Sequence, residues 1–160
     1  MFDFQILCEP DKKTPVALAA PQQQPQGLLV IAEPNKTDAH QLWQLEPFAG
    51  VDEHDHAVLA FYLVNKQTGL VAQAPQNVDG AVKPDTQSVT QAAKDAYNII
   101  SPIRLWTLDP VGAGFAIRPL GDVHQNLNAW DKKVEAGTNV GIYRWKDGQA
   151  NEVWGIKAIG

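Results

Sequence analysis

The sequence predicts an all-β domain made of three copies of one unit of about 50 residues. Three observations carry this. A tetrapeptide of the form aliphatic, Trp, any residue, aliphatic recurs as Leu42-Trp43-Gln44-Leu45, Leu105-Trp106-Thr107-Leu108 and Val153-Trp154-Gly155-Ile156. Upstream of each stands Phe, any residue, aliphatic: Phe4-Gln5-Ile6, Phe61-Tyr62-Leu63 and Phe115-Ala116-Ile117. Phe4 to Trp43 and Phe115 to Trp154 each span 39 residues, and Phe61 to Trp106 spans 45. Finally, the apolar runs are short and alternate, as strands with one buried face do.

In chain order, "FQIL" (4–7), "AVLAFYLV" (57–64), "GLVAQA" (69–74), "GFAIRP" (114–119) and "NVGIYRW" (139–145) read as strands. Between them, "EPNKTD", "NKQTG", "NVDG" and "KDGQ" read as turns, because Gly, Asn, Asp and Pro favour tight turns. The expected units are about 1–56, 57–110 and 111–160. "SVTQAAKDAYNII" (88–100), inside a longer insert of the middle unit, is the only plausible helix and reads either as a helical turn or simply as a loop. Three all-β units of this size fit a β-trefoil, a barrel capped by hairpins, in which closure removes exposed strand edges. The repeated Phe and Trp rings then meet around a pseudo-threefold axis and dominate the core.

Composition bounds the function. At 160 residues the chain suits one domain with a sizeable core. Thirteen basic against 18 acidic residues give a net charge of −5, which argues against nucleic acid or an anionic membrane as partner. No run approaches 18 apolar residues, so no membrane-inserted helix is expected. Met1–Pro10 lacks a basic segment followed by an apolar one, so the expected compartment is the cytoplasm. Cys8 is a lone thiol and reads as a small buried hydrophobe.

No constellation suggests catalysis, a metal or a cofactor, and none of the three is expected. "DEHDH" (52–56) has metal-ligand residue types but lacks a third spaced His or Cys, so it reads as a solvated hairpin loop. No pair of carboxylates stands out on flanking strands for glycoside hydrolysis. What does stand out is "GIYRWKDGQANEVW" (141–154), with its rings and amides around one turn. On a strand, Val140 and Ile142 face the core, while Gly141, Tyr143 and Trp145 face outward. A flat aromatic face with fixed amides nearby is what a pyranose needs, since it offers C–H groups on one face and hydroxyls on its rim.

The repeated tetrapeptide with its preceding residue is similar to the Q-x-W repeat of ricin-type (R-type) lectins. It is complete as Gln41-Leu42-Trp43 and altered as Arg104-Leu105-Trp106 and Glu152-Val153-Trp154. Three stretches more closely resemble the Euonymus-lectin (EUL) type domain, a β-trefoil carbohydrate-binding domain: 32–43, 61–74 and 114–156. The resemblance implies a non-enzymatic lectin with one shallow sugar site in the third unit. Its carboxylate position falls on Asn128, its aromatic platform on Tyr143, and its amide on Asn151. Trp145, Glu152 and His124 complete the candidate carbohydrate-binding set. In unit one the platform falls near Ala32, with His40 at the amide position, and in unit two it falls near Pro84. Both units therefore read as scaffold. The implied ligand is a mono- or oligosaccharide, of galactose or mannose type. A single weak site gains avidity by oligomerising, as a homodimer for instance. The competing reading is a protein-binding trefoil, such as a protease inhibitor using the 76–101 loop.

Overall fold

A computed structural model describes residues 1–8, 13–23, 27–51, 54–75, 88–96, 100–130 and 134–160. Among the described residues, four strands belong to each third of the chain. The first holds β1 (Asp3–Cys8), β2 (Val16–Ala19), β3 (Val30–Ala32) and β4 (Trp43–Val51). The second holds β5 (Ala57–Asn65), β6 (Val71–Gln73), β7 (Thr90–Ala92) and β8 (Trp106–Val111). The last holds β9 (Gly114–Pro119), β10 (Gln125–Ala129), β11 (Val140–Arg144) and β12 (Trp154–Ile159).

Six strands close a circuit. β1 pairs with β4, β4 with β5, β5 with β8, β8 with β9, β9 with β12, and β12 with β1. Closure leaves no open edge in that ring. The remaining strands form the hairpins β2–β3, β6–β7 and β10–β11, which cap one end.

The Phe–Trp repeat is a register. Phe4 lies opposite Trp43, Phe61 opposite Trp106, and Phe115 opposite Trp154. All three Trp are fully buried in one core with Ile6, Leu18, Leu63, Ile117, Leu127 and Ile142. Each indole must also satisfy its N–H. Trp43, Trp106 and Trp154 donate Nε1 to the carbonyls of Leu18, Ala72 and Leu127, at 2.9, 3.0 and 2.9 Å. Burying a ring of this size contributes roughly 4–6 kcal/mol before entropy is subtracted.

Two further sets of backbone bonds repeat three times. At the centre of the cap, Leu29 N donates to Val89 O, Val89 N to Val140 O, and Val140 N to Leu29 O, at 2.9, 3.1 and 2.9 Å. Ala20, Ala74 and Ala129 donate to the carbonyls of His40, Ile103 and Asn151, at 2.9, 2.8 and 2.9 Å. These bonds define equivalent positions: Ala19, Gln73 and Asn128; Ala32, Ala92 and Tyr143; His40, Ile103 and Asn151.

Two expectations for the middle unit are corrected. Residues 90–92 are a strand rather than a helical turn or a loop, because both backbone groups of Val89 are held by the other hairpins and its side chain is fully buried. Tertiary pairing overrides the local helical preference of "QAAKDA". The platform position of that unit is Ala92. Pro84 lies outside the described residues, as does most of the 76–101 loop.

The residue two before each repeated Trp ties down the loop ahead of it, whatever its chemistry. Gln41 Oε1 accepts from Asn35 N at 2.8 Å, and its Nε2 donates to Glu33 O at 2.9 Å. Arg104 donates Nε to Gln73 Oε1 at 2.8 Å and Nη1 to Asp95 Oδ1 at 2.6 Å. Asp95 also accepts from Tyr62 Oη and Ser101 N. Burial, reinforced by the Asp95 carboxylate, pushes the Tyr62 phenol up to about 12. Glu152 is the third member and lies within the candidate site.

Candidate functional site in the third unit

The site is built on the β10–β11 hairpin. Asn126 lies opposite Tyr143 and Asn128 opposite Gly141, so these four share one face. Leu127, Ala129, Val140 and Ile142 share the other and are fully buried. The period-2 reading of "VGIYR" therefore holds. Tyr143 projects outward and is 46% exposed.

Asn128 and Asn151 are brought together. Asn151 donates Nδ2 to Asn128 Oδ1 at 3.0 Å and to Ala129 O at 2.9 Å. They are only 6% and 5% exposed. Among the described residues, Asn128 Nδ2 and Asn151 Oδ1 carry no hydrogen bond. The pair thus retains one donor and one acceptor, held in place by the other atoms of the same two amides.

Glu152 leaves the candidate set. It is fully buried, and its carboxylate accepts from Lys146 N, Gly148 N and Gln149 N at 2.9–3.1 Å. Asn126 Nδ2 adds a contact at 3.3 Å. Asp147 and Gly148, with φ of 61° and 80°, curl the "KDGQ" turn so that its N–H groups converge on the acid. Glu152 shapes the turn and has no oxygen left for a ligand.

Trp145 also departs from expectation. β11 ends at Arg144, the alternation lapses, and Trp145 packs half-buried against Gly148. The Arg118 guanidinium lies 5.3 Å from its ring centroid. Lys146, not Trp145, flanks the platform, with Nζ 5.8 Å from the Tyr143 ring centroid.

His124 is exposed in the loop before β10, where its described ring neighbour is His54 at 6.4 Å between centroids. His54 in turn lies 6.1 Å from His56. The third imidazole that "DEHDH" lacks in sequence is thus supplied by another unit. Among the described residues, however, no three His, Cys, Asp or Glu side chains are arranged to hold one metal ion.

Sequence reading missed Trp130. A Cβ built on Gly141 would lie 2.1 Å from Trp130 Nε1 and 2.4 Å from Cε2. The room that Gly141 makes is filled by this indole, half-buried and anchored by Trp130 N donating to Asn139 O at 3.1 Å. A glycine inside a strand signals close approach by something large, and that signal was available. The other units lack the set. Unit one has Ala19, Ala32 and His40, and unit two has Gln73, Ala92 and Ile103, with no platform ring in either.

No family sequence model matches the chain, and no curated protein matches it in sequence. Solved structures do match. A designed 3-fold symmetric protein superposes with a TM-score of 0.72 at 18% identity, over 98% of this chain and 99% of its own. The fold is a β-trefoil. The C-half of an earthworm R-type lectin, solved in complex with GalNAc, matches with a TM-score of 0.66 at 18% identity, over 99% of this chain and all of its own. An endo-β-galactosidase from Clostridium perfringens matches with a TM-score of 0.72 at 10% identity, and there the trefoil covers only 33% of that chain. The EUL resemblance finds no support beyond the trefoil itself.

Proposed function

We propose that the chain is a carbohydrate-binding protein with one shallow sugar site, in its third unit. The observation that carries this is the exposed Tyr143 ring on the same hairpin face as a prepositioned amide pair. The ring stacks on the C–H face of a pyranose. Asn151 Oδ1 accepts from one hydroxyl and Asn128 Nδ2 donates to its neighbour, a match to a vicinal diol. Neutral amides make weaker bonds than a carboxylate would, so affinity near millimolar is expected, about −4 kcal/mol. The GalNAc bound to a lectin of the same fold supports the class of ligand.

The test is titration of the intact chain with GalNAc, galactose and mannose, followed by intrinsic fluorescence and calorimetry. Binding near millimolar, lost in Tyr143→Ala and weakened about tenfold or more in Asn151→Ala, supports the reading. No response to any simple sugar or to a broad glycan panel refutes it.

A further inference from the structure

The β10–β11 face carries a second ring. A side chain at Gly141 would leave β11 on the same face as Tyr143, and that space holds the Trp130 indole. The two positions are about 6.6 Å apart along the strand. Trp130 is only half-buried, so part of its ring meets solvent, and among the described residues its Nε1 has no hydrogen-bond partner. Asn128 lies directly across from Gly141. The amide pair, the indole and the phenol therefore share one surface.

The fold itself does not demand this arrangement, and the other two units are the internal control. Equivalent positions to Trp130, Gly141 and Tyr143 are Pro21, Val30 and Ala32 in unit one, and Pro75, Thr90 and Ala92 in unit two. Those units close the same cap and donate the same backbone bonds. They do so with no aromatic ring at the Trp130 or Tyr143 position, and with a Cβ where unit three has none. The third unit alone combines an indole, the glycine that admits it, and an exposed phenol.

We propose that Trp130 and Tyr143 form a continuous two-ring platform, and that the preferred ligand is an oligosaccharide with at least two linked pyranoses. The inference rests on the saccharide reading above. Tyr143 stacks on one sugar ring, and Trp130 carries the adjoining one while offering Nε1–H to its rim. Gly141 is the positioning residue that lets the indole lie there.

The test compares galactose with lactose, and mannose with mannobiose, by calorimetry on the intact chain. In the native protein one disaccharide should bind about tenfold tighter than its monosaccharide. Trp130→Ala should erase that gain and leave monosaccharide affinity within about twofold, while Trp130→Phe should keep part of it. Gly141→Ala should also erase it, with a changed indole environment in near-ultraviolet circular dichroism that Trp130→Phe removes. Monosaccharide binding with no disaccharide gain overturns the two-ring platform and leaves the simple site standing. Equal loss of both affinities in Trp130→Ala overturns it too, since Trp130 then belongs to the primary contact. No sugar binding at all by the native chain overturns both readings.

Discussion

Replacing Glu152 separates its role as an organiser of the fold from any contact with ligand. Its carboxylate accepts from three backbone N–H groups of the 146–149 turn and from Asn126. Glu152→Ala leaves all four donors without that acceptor. Each buried donor left unmade costs about 1–3 kcal/mol. Water can reach part of this surface turn, but Asn126 is fully buried. The expected loss is about 3–5 kcal/mol, a large share of the about 5–15 kcal/mol typical of a domain. Glu152→Gln should cost less, about 1–2 kcal/mol. The glutamine oxygen can still take the turn N–H groups at the Oε1 position. Its new NH2 would face Asn126 Nδ2, donor against donor. Asn126 Oδ1, however, is buried without a partner, and a half-turn of that amide brings it to the new donor at the expense of the Asn126 Nδ2 bond to Leu127 O, so part of the cost remains. Urea unfolding followed by Trp fluorescence measures both variants, with an unchanged slope showing that compactness is preserved. A cost below about 1 kcal/mol for Glu152→Ala, or equal costs for the two variants, would refute this reasoning.

Four further outcomes are expected. Trp43→Phe, Trp106→Phe and Trp154→Phe should each destabilise by about 2–4 kcal/mol, because each loses buried area and the indole's hydrogen bond to a core carbonyl; calorimetric Tm values that fall for only one of them would contradict the threefold equivalence. Burial pushes the Tyr62 phenol from its ordinary 10 up to about 12, so the stability that goes with its neutral form is intact below pH 10 and is lost as pH rises toward 12. That loss is roughly 2–3 kcal/mol, and Tyr62→Phe should flatten the alkaline limb of a pH–Tm curve. Tyr143→Ala removes an exposed ring and should change stability by less than about 1 kcal/mol, so loss of sugar response in a chain with unchanged Tm marks a contact rather than a collapse. At the acid end, hydrogen bonds from Lys66 and Gln44 hold the Asp3 carboxyl below its usual range. Its contribution is present above the ordinary carboxylate pKa and disappears as pH falls through the depressed one, a dependence that Asp3→Asn should abolish.

Some of the site was readable before the fold was known. "VGIYR" alternates, so the outward direction of Tyr143 followed from period 2 alone. Asn128 and Asn151 were placed by the lectin resemblance, and the two amides do meet. Glu152 and Trp145 were misjudged for one shared reason. Whether a polar or aromatic side chain faces ligand or is consumed by its own loop depends on which backbone groups converge on it. The left-handed turn at Asp147 and Gly148 decides this for Glu152, and the end of β11 decides it for Trp145. Trp130 was overlooked because its partner, Gly141, is a cross-strand neighbour of Asn128 and not a neighbour in sequence.

By itself the sequence determined the barrel. Apolar alternation sets which strand face is buried, and the thrice-repeated Phe and Trp set which strands pair, because burying large rings outweighs local detail. Only the tertiary structure decided the chemistry of the surface. The amide pair, the indole lying over Gly141 and the three imidazoles that meet across units all join residues distant along the chain. Hydrogen bonds and ring contacts act over a few ångströms, and only the closed barrel brings these side chains within that range.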